Sequence, residues 1–114
     1  MVKDHMGMYA EHTIVYITCA NAEEATRIGT QLVTERLAGC ANIIPAMQSI
    51  YWWEGQVTRS DEAVLIAKTR ADKVYDLNAR VRSLHSYTTP AIMAVPLLHV
   101  DADYAKWLDE NIEG

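Results

Sequence analysis

The sequence predicts an α+β domain in β-α-β-β-α-β order: an antiparallel sheet with its helices on one face, and one further helix at the C-terminus. Three observations carry that expectation. A β-branched, alternating run, HTIVYITC (12–19), precedes a stretch with apolar residues at helical spacing. A long extended segment (40–53) and an apolar run (63–68) flank the turn signal Glu54-Gly55. A second helical period and a last apolar strand then repeat the opening order.

Taken in turn, Asn21 suits a helix N-cap, and Glu24 three residues later completes a capping-box-like pair. Ala25, Ile28, Leu32, Val33 and Leu37 recur at helical spacing, and Gly39 stands where a C-terminal glycine ends a helix, so the first helix is predicted over 22–38. CANIIPAMQSIYWW (40–53) reads as a long strand in which Pro45 marks an edge, a bulge or a bend. Its hairpin partner is AVLIAK (63–68), entered as early as Val57. Val74, Leu77, Val81 and Leu84 give a second helix that ends near His85, before Pro90. AIMAVPLLHV (91–100) is the fourth strand, interrupted by Pro96, and Asp101 caps a short helix carrying Tyr104, Trp107, Leu108 and Ile112. Residues 1–10, with three Met and no period, read as a flexible leader, and 11–114 as one domain. The order is the ferredoxin-like split βαβ arrangement.

Composition excludes several function classes. The 114 residues allow one domain, and the ten Lys and Arg against fifteen Asp and Glu leave a net charge of −5. That balance argues against nucleic-acid binding, which runs on clustered cations. No apolar run reaches the ~20 residues of a membrane helix, and no signal-peptide core is visible, so no membrane partner is expected. Cys19 and Cys40 are too few for a disulfide scaffold and read as reduced thiols in a cytoplasm. The chain has no Phe, but three Trp and six Tyr, residues suited to interfaces as well as cores.

No Gly-rich phosphate loop, GxSxG elbow, HExxH or CxxC is present, so no enzyme is predicted. Cys19 ends a strand just before a helix N-terminus, which favours a thiolate able to bind Cu(I) or Zn(II); its ordinary role is a small buried hydrophobe. Cys40 reads as a core-facing strand residue. His85, at a helix C-terminus, suits copper or zinc, or simply complements the helix dipole. Spacing does not fix whether Cys19 and His85 meet. Asp101 is explained as a cap beside His99, His5 and His12 belong to the weak N-terminal stretch, and Lys68 and Arg70 read as a solvated pair. In Tyr51-Trp52-Trp53 the two indoles must point to opposite sides of a strand, so one faces solvent, a ligand or another subunit. An acidic chain favours a protein interface over nucleobase stacking there.

The pieces LAGCANIIPAMQSIYWWEG (37–55), DEAVLIAKT (61–69), HSYTTPAI (85–92) and YAKWL (104–108), with Cys19 and Ala22-Glu23, resemble in order and spacing the CutA family of divalent-cation-tolerance proteins. The resemblance implies a tight homotrimer of ferredoxin-like subunits whose long strands pair between neighbours, with Tyr51, Trp52 and Trp53 at the trimer interface. It implies a cytoplasmic, non-enzymatic protein of copper tolerance, with copper or another divalent cation, or a small ligand, in the inter-subunit cleft. Of the family's proposed copper ligands, Cys19 and His85 match. Leu84 replaces a second His found in some members, and Ser86, Thr88 and Ala91 replace the Pro and the two Glu of the loop. An alternative with the same architecture is a PII-like signalling trimer binding a nucleotide or metabolite between subunits, but the hairpin lacks that class's long loop.

Overall fold

The structure is a computed structural model that describes residues 10–114; the leader expected over 1–10 lies outside it except for Ala10. The elements are β1 (His12–Cys19), α1 (Ala22–Thr34), β2 (Cys40–Trp53), β3 (Gln56–Arg70), a short 3-10 turn (Ala71–Lys73) leading into α2 (Val74–Leu84), β4 (Ile92–Pro96) and α3 (Ala102–Glu110). The sheet order is β2-β3-β1-β4, with every neighbouring pair antiparallel. β1 and β2 therefore run parallel with β3 inserted between them, which is the split βαβ arrangement expected from sequence.

Register sorts the side chains into two faces. Val15, Ile17, Leu65 and Ala67 point to one side and meet Ala25, Ile28 and Leu32 of α1 and Leu77 and Val81 of α2 in one buried core. α1 lies close enough to the sheet that a Cβ on Gly29 would stand 2.9 Å from Leu65 Cδ1. The alternate residues, Ile14 and Tyr16 of β1, Ile44 of β2, Val64 and Ile66 of β3, and Met93 and Val95 of β4, share the face opposite α1 and α2, which α3 meets only at the His12–Lys68 end. Cys40 pairs with Lys68 on that same open face, so it is half-buried there and not core-facing.

Three boundaries differ from expectation. α1 stops at Thr34, four residues early. Arg36 takes a left-handed backbone, φ 59°, while the Leu37 N–H donates to Leu32 O and the Arg36 N–H to Val33 O. This is a Schellman ending built on Arg36. Gly39 serves another purpose: a Cβ there would lie 2.6 Å from Leu108 Cδ1 and 3.1 Å from the Leu108 carbonyl oxygen, so its bareness lets α3 dock. β3 begins at Gln56, because Glu54 and Gly55 both have positive φ (49° and 78°) and form a two-residue turn whose twist continues the ladder at once. β4 ends at Pro96, which has no N–H to carry pairing further.

β1 covers only Ala63–Arg70 of β3. The pairs from Met47↔Glu62 to Trp53↔Gln56 thus project as a two-stranded arm, set off from the sheet body by a bulge at Pro45-Ala46. His12 is buried in β1, and its Nε2 lies 2.8 Å from Asp109 Oδ1, tying α3 to the sheet; its placement in the weak N-terminal stretch is corrected accordingly. Among the described residues no helix is long and apolar enough to cross a membrane.

Candidate functional site

The end of β1, the start of α1 and the end of α2 converge at one point. Cys19 closes β1. Asn21 then caps α1, its side-chain oxygen accepting the Glu24 N–H at 2.8 Å, the first half of the expected capping pair. The reciprocal bond shifts by one residue: Glu24 Oε1 accepts the Ala20 N–H at 2.9 Å. The other carboxylate oxygen, Oε2, accepts the Ser86 N–H at 2.8 Å, across 62 residues of sequence. His85, the C-cap of α2, puts a fully buried ring beside this carboxylate, with Nδ1 3.9 Å from Glu24 Oε1.

Cys19, Glu24 and His85 thus present one ligand atom each, all within 4.8 Å of one another. The two candidates from sequence, Cys19 and His85, meet inside a single subunit; no subunit contact is needed to bring them together. The third member, Glu24, was legible only as a capping residue. Nothing local announces its second bond, which depends on where the loop after α2 passes.

Partner chemistry fixes the protons. The Thr18 carbonyl, 2.7 Å from His85 Nε2, can only accept, so Nε2 carries hydrogen. The Tyr87 N–H, 3.0 Å from Nδ1, can only donate, so Nδ1 offers its lone pair. The Cys19 thiol is pushed up to about 12, by burial first and by the Glu24 and Glu62 carboxylates next, with Arg27 opposing. The thiolate expected from the nearby helix N-terminus is therefore corrected: desolvation and a neighbouring carboxylate outweigh the dipole. At Glu24 burial pushes upward too, but the hydrogen bonds donated by Ala20 and Ser86 win and hold the carboxyl below its ordinary range.

As wired, the cluster is a closed hydrogen-bonded junction. A neutral thiol, an imidazole with both nitrogens engaged and a carboxylate with both oxygens engaged do not form a ready site for a resident divalent ion. The donor types do suit a soft cation that can displace a thiol proton.

The thiol state is directly measurable. At pH 8 an ordinary thiol is about a quarter ionised. In a Cys40→Ser variant, native Cys19 is expected to resist iodoacetamide at pH 8 and to react fully only once the chain is unfolded; prompt native-state alkylation would contradict the buried, protonated thiol.

The trio of Tyr51, Trp52 and Trp53 lies on the hairpin arm. The indoles do point to opposite sides: Tyr51 and Trp53 share the open face with Ser60 and Glu62, while Trp52 and Ile50 face the other way. Trp52 and Trp53 remain largely exposed, 74% and 62%. Tyr51, Trp53, Ser60 and Glu62, together with Thr18, Tyr87, Thr88, Thr89 and Ala91, surround a cavity of about 510 Å³. Lys68 is not simply solvated: its Nζ lies 3.3 Å from Tyr104 Oη and over that ring. Arg70 bonds Asp72 and the Glu113 carbonyl.

The chain matches the family model for CutA1 divalent ion tolerance proteins over residues 13–111. It is 40% identical over 102 residues to the divalent-cation tolerance protein CutA of Archaeoglobus fulgidus, covering 90% of this chain and 99% of that one. It is 43% identical over 98 residues to the CutA of Thermus thermophilus, covering 86% and 95%. Among solved structures, CutA1 of Oryza sativa superposes with a TM-score of 0.88 at 35% identity, covering 91% of this chain and 95% of that chain. The A. fulgidus structure, described as a periplasmic divalent cation tolerance protein, superposes with a TM-score of 0.87 at 39% identity, covering 90% and 99%.

Proposed function

The chain belongs to the CutA1 divalent ion tolerance family, and from that premise we propose that it serves tolerance of divalent cations, copper among them, as a non-enzymatic, self-associating protein. The observation that carries this reading is the uncovered face of the sheet. In water, Ile44, Met93 and Val95 stand about half exposed on one apolar face beside Tyr16 and Ile66. The arm adds Ile50, Trp52, Trp53 and Val57, all more than 60% exposed, on a two-stranded ribbon that is marginal alone. An apolar surface of that kind asks for a partner, and a homotrimer burying three such faces together supplies one. Tyr51, Trp52 and Trp53 would then lie at or beside subunit contacts.

Within this reading the cation is cargo, and Cys19 and His85, with Glu24, are its ligands. A soft ion such as Cu(I) suits them best, taking the place of the thiol proton and of the Tyr87 N–H at Nδ1. A cytoplasmic setting belongs to the same proposal and is supported by the two unpaired thiols. The PII-like alternative has no support: the matching family and the relatives named above are ion-tolerance proteins, and the hairpin turns in two residues.

Size-exclusion with light scattering is expected to give about three chains per particle; a clean monomer at micromolar concentration would sink the assembly. Titration with Cu(I) and Cu(II) is expected to show uptake of Cu(I) by the wild type that is lost in Cys19→Ser. Equal binding by both proteins, or by neither, would remove Cys19 as a ligand.

A further inference from the structure

The cavity at the root of the hairpin arm has a chemistry of its own, beside the Cys19 junction, with which it shares Thr18 and Tyr87. At about 510 Å³ it falls within the range of small-molecule pockets. Its walls are the rings of Tyr51, Trp53 and Tyr87 and the hydroxyl side chains Thr18, Ser60, Thr88 and Thr89. Its one charged side chain is Glu62, only 9% exposed. The Tyr87 hydroxyl donates to Glu62 Oε2 at 2.6 Å, and among the described residues no donor meets Oε1. No Lys, Arg or His lines the space. The Tyr51 hydroxyl is held 3.0 Å from Ser60 Oγ, which fixes that ring in the wall.

With no protein donor on Oε1, that oxygen opens to the cavity's water, and a cation entering the cavity can satisfy it with a charge-assisted bond. Aromatic faces attract a cation as well and prefer one that is weakly hydrated. A small hard metal ion gains little here, since a single carboxylate with hydroxyls cannot replace its water shell. An anion is repelled by Glu62. We propose that this cavity binds a small organic cation, its primary ammonium or guanidinium group on Glu62 and its flat or apolar body against Trp53 and Tyr51. The site stands independently of the cation-tolerance reading, because none of its charge chemistry uses Cys19 or His85.

The test is calorimetric titration of the full chain with benzylammonium chloride, against neutral benzyl alcohol of nearly the same shape. Wild type is expected to bind benzylammonium about tenfold more tightly than the alcohol, the margin of one charge-assisted bond. Glu62→Gln is expected to bring the two probes to within roughly twofold of each other, while particle mass and circular dichroism stay unchanged. Trp53→Leu, at a position outside the subunit's own core, is expected to weaken both probes and keeps the test alive should Glu62→Gln not fold. Equal binding of the two probes by wild type would overturn the site, as would undiminished benzylammonium affinity in Glu62→Gln or Trp53→Leu. Failure of wild type to bind at millimolar probe would overturn it too, and would mean that a neighbouring copy's side chain fills the space.

Discussion

Glu24→Ala is expected to lower the free energy of unfolding by about 3 kcal/mol, read from denaturant titrations at fixed protein concentration. The carboxylate is 6% exposed and accepts two backbone donors, Ala20 N–H at 2.9 Å and Ser86 N–H at 2.8 Å. Hydrogen bonds to a charged acceptor contribute about 1.5–3 kcal/mol each, and alanine would leave both donors without a partner in a dry junction. The loss also reaches further than a helix cap would, because the Ser86 bond anchors the loop that presents His85 and Tyr87. Glu24→Gln keeps one acceptor oxygen and sets an amide NH2 against a backbone N–H, so it should lose about half as much. The pH dependence has a definite sign. The folded carboxyl titrates below its ordinary range. Its contribution is therefore complete above the unfolded value near 4.3 and fades as pH falls through the lower folded value. The gap between wild type and Glu24→Ala should be constant near neutrality and shrink in strong acid. A neutral-pH loss under about 1 kcal/mol would show that water or a rearranged loop replaces the carboxylate.

The same residue shows what the sequence carries and what it withholds. Helix start signals are local, so Asn21 and Glu24 placed the beginning of α1 correctly. The helix end was harder: glycine is the usual left-handed residue, and Gly39 looked the part, yet Arg36 takes that conformation. The competing demand on Gly39 is a contact with Leu108, 69 positions away, which no local pattern encodes. The order of strands and helices was legible because hydrophobic period is strong in 12–19, in 74–84 and in the paired runs of the hairpin. The length of β4 was not, since apolar residues continue past Pro96 into Leu97 and Leu98, and Leu98 stands 91% exposed. Cys19 and His85 were individually legible as chemistry-bearing residues. Their proximity and protonation were not, because both follow from the crossing of β1 with the loop after α2. Burial first, and then the neighbouring Glu24 and Glu62 carboxylates, keep the Cys19 thiol neutral.

Met93→Glu is expected to break the proposed homotrimer into folded monomers at micromolar concentration. Met93 pairs with Tyr16 on the face opposite α1 and α2 and is 53% exposed in the single subunit. In a lone chain, a carboxylate at so open a position changes stability by no more than about 0.5 kcal/mol. Covered by neighbouring copies, the same carboxylate loses its water with no cation to replace it, at several kcal/mol per subunit. Three-fold symmetry repeats that cost at each copy, so a substitution nearly silent for folding becomes decisive for assembly. Tyr75→Glu on α2 is the matched control. That side chain is 89% exposed and belongs to a helix packed on the opposite face of the sheet, so particle mass should not change. Light scattering reads the mass of each variant, and circular dichroism reports whether the chains remain folded. An unchanged mass for Met93→Glu would take the open face out of the contact and leave the arm, with Ile50 and Trp52 outward, as the surface that joins the copies. The fold's own core lies wholly between sheet and helices, in Val15, Ile17, Leu65, Ile28, Leu32 and Leu77. The two faces of one sheet can therefore be tested apart, one for folding and the other for association.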